Sequence, residues 1–187
     1  MSPQATHRAK PLQNMELNQI YFYTATILNW KRLLKKDDYK NIIIDSLQYL
    51  STKNKIAVYG FVIMPNHIHL IWEMLEKNGK EMPHASFMKY TAHQFLEHSR
   101  TYYPQILPYF QASDQARNHR FWQRNSLPVW LYTPAVLEQK LEYIHNNPVV
   151  EKWSLANEPA QYYYSSAKFY ETDIDDFGFL KHYKDRV

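Results

Sequence analysis

Apolar and polar positions divide this chain into a succession of distinct patterns. Gln19–Leu28 (QIYFYTATIL) is dense in aromatic and β-branched residues and predicts a strand. From Asp37 or Asp38, a candidate N-cap, to about Lys53, the apolar residues Ile42, Ile43, Leu47 and Leu50 repeat at the helical period. Ile56–Met64 and His67–Met74 are two apolar runs joined by Pro65-Asn66, a pair suited to the centre of a tight turn, and together they predict a hairpin. Ala85–Glu97 reads as a helix burying Phe87, Met88, Ala92, Phe95 and Leu96. Phe121–Gln123 and Val129–Tyr132 are candidate short strands. Thr133-Pro134, an N-cap followed by proline at the first helical position, opens a last helix that runs to about Asn146 and is stopped by Pro148. The order β-α-β-β-α-β-α, antiparallel at its hairpin, predicts an α+β fold: a ferredoxin-like antiparallel sheet with helices on one face. Strands one and three would be central. Residues 1–17 read as a flexible arm, 18–150 as the main domain and 151–187 as a C-terminal extension with an acidic tail.

Composition narrows the partners. The 187 residues carry a net charge of +4, but residues 171–187 hold more acids than bases, so the body is more positive than the whole. A basic body with 16 Tyr, 9 Phe and 5 Trp suggests nucleic acid, since cations meet phosphates and rings stack on bases. Only three glycines argue against a Gly-rich nucleotide loop. The absence of cysteine excludes disulfides, thiolate zinc sites and cysteine nucleophiles, and suits a reducing cytoplasm. No apolar run approaches the roughly 20 residues of a membrane span, and no signal-peptide core is visible, so a cytoplasmic, nucleoid-associated protein is expected.

The candidate chemistry begins with His67 and His69. Residues i and i+2 of a strand share a face, so both imidazoles point one way while Ile68, Leu70 and Trp72 point the other. Two imidazoles on a rigid element make half a metal site. On the last helix, Leu137, Leu141 and Ile144 form the core stripe, and Tyr143 lies off it. Asn147 follows four residues later on the same side. Read alone, Tyr143 is as well explained as amphipathic surface.

Pro-Asn-His-Ile-His-Leu-Ile-Trp at 65–72, followed by Tyr-Ile-His-Asn-Asn-Pro-Val at 143–149, resembles the single-tyrosine HUH transposases. The closer resemblance is to the REP-associated tyrosine transposases, and it extends from near Tyr21 to about Ser166, including Phe121-Trp-Gln-Arg124. It implies an HUH catalytic domain in which His67, His69 and Asn147 hold a divalent ion and Tyr143 is the nucleophile. It also implies Mg²⁺ or Mn²⁺ as cofactor, hairpin-forming single-stranded DNA as partner, and a monomer or homodimer. The reaction implied is cleavage and strand transfer through a 5′-phosphotyrosine link. The stretch after Gln123 departs from the family pattern by lacking an acidic, histidine-containing segment.

A phenol needs a base, a cation or favourable geometry to attack at neutral pH. Lys140, one turn before Tyr143, is the nearest candidate in sequence. Among the other cations (Arg8, Lys10, Lys31, Arg32, Lys35, Lys36, Arg117), Arg120 and Arg124 stand out as DNA contacts because they flank Phe121-Trp122, with Trp122 a candidate stacking ring. Two other readings stay open: a non-catalytic nucleic-acid-binding relative of the same fold, and a metal-dependent hydrolase in which Tyr143 is structural.

Overall fold

The computed structural model describes residues 15–112, 118–124 and 126–186. Arg8, Lys10, Arg117 and most of the expected arm lie outside them; of that arm, Met15 is buried in the core.

The elements are β1 (Ile20–Thr26), α1 (Asp37–Thr52), β2 (Ile56–Met64), β3 (His67–Met74), α2 (Pro83–Tyr102), β4 (Leu127–Trp130), α3 (Pro134–Asn146) and α4 (Ala167–Thr172). The four strands form one antiparallel sheet in the order β2-β3-β1-β4, so strands one and three are central, as the ferredoxin-like layout requires. β4 lies at an edge, where Pro128 can sit opposite Tyr23 without breaking an interior ladder. A bulge at Val58/Gly60 shifts the phase of β2, so that Ala57 and Tyr59 share a face with Val62 and Met64.

One face of the sheet, with Tyr21, Tyr23, Phe61, Leu70 and Trp72, packs under α1 and α2. α1 buries Ile43, Leu47 and Leu50. Its N-cap is Lys36, with no side-chain cap. Asp37 and Asp38 stand instead in the first turn, where they complement the helix dipole. α2 is longer than the apolar pattern implied. Its buried stripe is Phe87, Thr91, Phe95 and Ser99, a strict four-residue repeat. The two polar members are satisfied inside the helix: Thr91 Oγ1 donates to the Phe87 carbonyl at 2.8 Å and Ser99 Oγ to that of Phe95 at 2.6 Å. A reading based on apolar residues alone misses such positions.

The opposite face, with Phe22, Tyr59, Val62 and Ile71, packs under Leu137, Leu141 and Ile144 of α3. α3 starts as its sequence predicts, with Thr133 Oγ1 accepting from the Val136 amide. It crosses so near the sheet that a Cβ on Gly60 would lie 2.5 Å from Leu141 Cδ2.

The C-terminal segment is folded against the sheet rather than trailing into solvent. Phe177 and Phe179 pack on Phe61, and Leu180 bridges Val58. The segment then reaches the α3 side, where Tyr183 donates to Glu138 and Arg186 pairs with the buried Glu73. Its acids are locally used: Asp176 pairs with Lys168, and Asp175 accepts from the Phe177 and Leu180 amides.

Candidate functional site

His67 and His69 follow a two-residue turn and point to the α3 side of β3, with ring centroids 4.7 Å apart. Each imidazole has its Nδ1 engaged. His69 Nδ1 lies 2.8 Å from Thr24 Oγ1, the residue directly across the β1–β3 ladder. His67 Nδ1 lies 2.7 Å from Asn66 Oδ1. Because the amide oxygen can only accept, that contact puts a proton on His67 Nδ1 and leaves Nε2 as a lone pair. Asn66 takes no left-handed backbone value in the turn. Its side chain instead spans two neighbours, with Nδ2 donating to the Trp30 carbonyl at 3.3 Å.

Both rings are buried, at 8% and 5% exposure. Burial, with a contribution from Lys152, lowers the His67 pKa to about 4. Burial, followed by His67 and Lys140, lowers that of His69 to about 3. Both are therefore neutral at physiological pH, the form that binds metal. His69 Nε2 is buried and has no hydrogen-bond partner among the described residues. A buried imidazole nitrogen without a partner is costly in an apolar setting, and a neutral ring there is able to accept a ligand at Nε2.

α3 lies over this face. The Tyr143 ring stands edge-on to His69 at 5.5 Å and to Phe22 at 6.1 Å, while Phe22 itself stacks on His69 at 5.1 Å. Tyr143 remains 51% exposed. Lys140 Nζ lies 5.0 Å from the Phe22 ring centre and 5.7 Å from that of Tyr143. One turn on, Asn147 is the C-cap of α3, buried at 8% exposure and in αR geometry although Pro148 follows it. Beyond it, Trp153 packs against His67 at 5.9 Å. The chain from Tyr143 to Trp153 thus runs alongside His69 and then His67, with Asn147 between the two contacts. The two imidazoles would supply nitrogen donors to a cation, and Asn147, the expected oxygen donor, is placed only by its position at the end of α3. No group of three or more His, Cys, Asp or Glu fit to hold a metal occurs among the described residues.

The DNA-contact residues expected from sequence do not all gather here. Trp122 is 5% exposed, packs on Phe95 and donates its Nε1–H to Thr91 Oγ1 at 3.0 Å, so it is core rather than a stacking platform. Its place is set by a single bridge to Ile27 at the end of β1, where a short strand was expected. Arg120 and Arg124 line a cleft of about 910 Å³ beside α2, on the other face of the sheet from the histidines. Lys140 alone of the four stands at the site. Thr24, Asn66, Phe22, Trp30 and Trp153 were not singled out by sequence. Thr24 and Phe22 do alternate on β1 with the right phase, but only the strand register shows that they meet His69.

Comparison with solved structures places this fold beside known ones. A REP-associated tyrosine transposase, solved bound to a REP hairpin, superposes with a TM-score of 0.58 at 16% identity, covering 97% of this chain and 92% of that one. A looser likeness, with a TM-score of 0.41 at 15% identity, is to a candidate transposase from Deinococcus radiodurans, covering 73% of this chain and 95% of that one. No protein-family model and no curated protein matches the chain.

Proposed function

We propose that this protein is a metal-dependent, transposase-like enzyme that nicks and joins single-stranded DNA through Tyr143. The observation that carries the reading is the meeting, within one chain, of Tyr143 with His69, whose buried Nε2 has no hydrogen-bond partner among the described residues. The fold likeness to a tyrosine transposase that was solved with a DNA hairpin supports it.

In this reading, His67, His69 and Asn147 hold Mg²⁺ or Mn²⁺, which when bound polarises the attacked phosphate and stabilises charge on the leaving oxygen. Thr24 and Asn66 orient the two imidazoles. Phe22, stacked on His69, shields one ring face from water. Tyr143 attacks a backbone phosphorus: the bond from phosphorus to the Tyr143 oxygen forms and the bond to the 3′ oxygen breaks. The phenolic proton is released and the 3′ oxygen gains one, leaving a 5′-phosphotyrosine and a free 3′-OH. Phosphodiester energy is conserved in the link, so attack by another 3′-OH completes strand transfer. Lys140 offsets negative charge at the phenol and phosphate. Arg120 and Arg124, on the far face, would meet a flanking duplex such as a hairpin stem.

Tyr143→Phe is expected to abolish the covalent protein–DNA adduct seen on denaturing gels with Mn²⁺, while single-strand binding changes little. Free cleavage products from the variant would instead favour the hydrolase reading, and cleavage absent from the unaltered protein would favour the non-catalytic one.

A further inference from the structure

Trp30 is an unusual residue for its position. It is 60% exposed, yet both it and Asn29 hold left-handed backbone values, with φ of 57° and 54°. A bulky residue there is strained, and such strain persists only where neighbours enforce it. The Trp30 amide donates to the Ile27 carbonyl at 2.9 Å, and its carbonyl accepts from Asn66 Nδ2. Asn66 is the residue that orients His67, so one side chain ties the Trp30 loop to a candidate metal ligand. The Trp30 ring lies 6.4 Å from that of His67.

Trp153 reaches the same imidazole from a different element. It sits in a turn beyond α3, closed by its amide to the Val150 carbonyl and by the Leu155 amide to the Pro148 carbonyl. Two cations stand over it: Arg32 at 5.8 Å and Lys152 at 5.5 Å from the ring centre. Both are exposed. Scattered surface aromatics need no explanation. Two tryptophans against one ligand imidazole, with cations beside them and one loop under strain, do.

We propose that Trp30 and Trp153 form a base-binding notch at the His67 end of the site. An unpaired base of single-stranded DNA, next to the cleaved phosphate, stacks there while Arg32 and Lys152 hold the adjoining phosphates. The notch rests on the reading of the site given above and adds a substrate subsite to it. Duplex DNA does not fit, because its bases are already stacked. The strand then runs from Tyr143 and Lys140 at His69, past His67, to the two rings.

The test uses the full chain, oligothymidylate and chelator, so that binding is read without cleavage. Binding should quench tryptophan fluorescence. Trp30→Ala and Trp153→Ala should each weaken it by about tenfold, within the range known for base–aromatic stacking, with unchanged thermal melts. Trp30→Phe keeps a ring and should restore affinity while losing part of the quench. Arg32→Ala and Lys152→Ala should each lower the slope of log affinity against log salt by about 0.7. Full affinity in both alanine variants, or equal binding of an abasic sugar-phosphate strand, overturns the notch. Adduct formation with Mn²⁺, measured in parallel, keeps the two ideas apart. A normal adduct alongside Trp30-independent binding defeats the notch alone. Trp30-dependent binding without any adduct supports the notch and defeats the Tyr143 chemistry.

Discussion

Thr24 Oγ1 is the group on which the state of His69 depends. With Nδ1 held by that hydroxyl, the ring is oriented and Nε2 is the nitrogen left for the ion of the proposed site. Thr24→Val keeps the shape of β1 and removes the bond. It is expected to weaken Mn²⁺ binding by roughly 10- to 100-fold, as outer-shell losses do, with little change in stability. Calorimetric titration with Mn²⁺ measures this, and an unchanged affinity would show that the ring is held by packing on Phe22 instead. That His67 and His69 share a face was legible from their i, i+2 spacing on a strand, whereas a position off the apolar stripe does not mark Tyr143, which only the family resemblance singled out. Thr24 and Asn66 carry no such signal. Their roles arise from a cross-strand neighbour and a turn side chain. Trp122 misled for the converse reason, since a tryptophan between two arginines looks like a stacking platform until its indole N–H is found bonded to Thr91 inside the core.

Among the elements, α3 matters most, and Gly60 sets how near it comes to the sheet. The glycine stands at the β2 bulge, under Leu141 and Ile144. Gly60→Ala forces its Cβ against Leu141, which is 5% exposed and has little room to move. The expected loss is about 1–3 kcal/mol in urea denaturation, the usual range for overpacking. Adduct formation should fall further than stability accounts for, because α3 carries Tyr143. Adding Leu141→Ala should recover part of the loss non-additively, and simple additivity would mean that the two do not press on each other. The sequence predicted that a helix runs from Pro134 to about Asn146 and which of its residues are apolar. It led to the expectation that the helices share one face of the sheet, which the structure corrects, because the apolar stripe of α3 matches the face left open by α1 and α2. α1 and α2 occupy one face, and α3 takes the other, where the histidines are.

Over the molecule as a whole, burial holds several histidines neutral. It lowers the pKa of His67 and His145 to about 4 and of His69 to about 3, and it lowers that of His84 as well. His145 anchors α3 to the C-terminal segment through Ser166 Oγ at 2.8 Å, and Ser166 Oγ in turn accepts from the Phe61 amide. In the unfolded chain these rings titrate near 6.5, so below that pH the unfolded state binds more protons than the fold does. Their contribution to stability is complete above about 6.5 and is lost progressively as pH falls toward about 4. Urea midpoints in chelator should therefore drop between about pH 7 and about pH 5, and His145→Gln should flatten that slope. A midpoint that does not change with pH would contradict the burial of these rings. The C-terminal segment belongs to the same scale. Its sequence is acid-rich, yet Phe177, Phe179 and Tyr183 are buried and Arg186 reaches Glu73. By itself the sequence determined the antiparallel α+β order, the strand phase that aims both imidazoles one way, and the helix that carries Tyr143, because these follow from local periodicity and turn chemistry. Only the tertiary structure decided that α3 lies over the histidines, that Thr24 and Asn66 orient them, and that Trp30 and Trp153 meet at His67. Those are contacts between residues distant in sequence, fixed by register and packing, which no local pattern encodes.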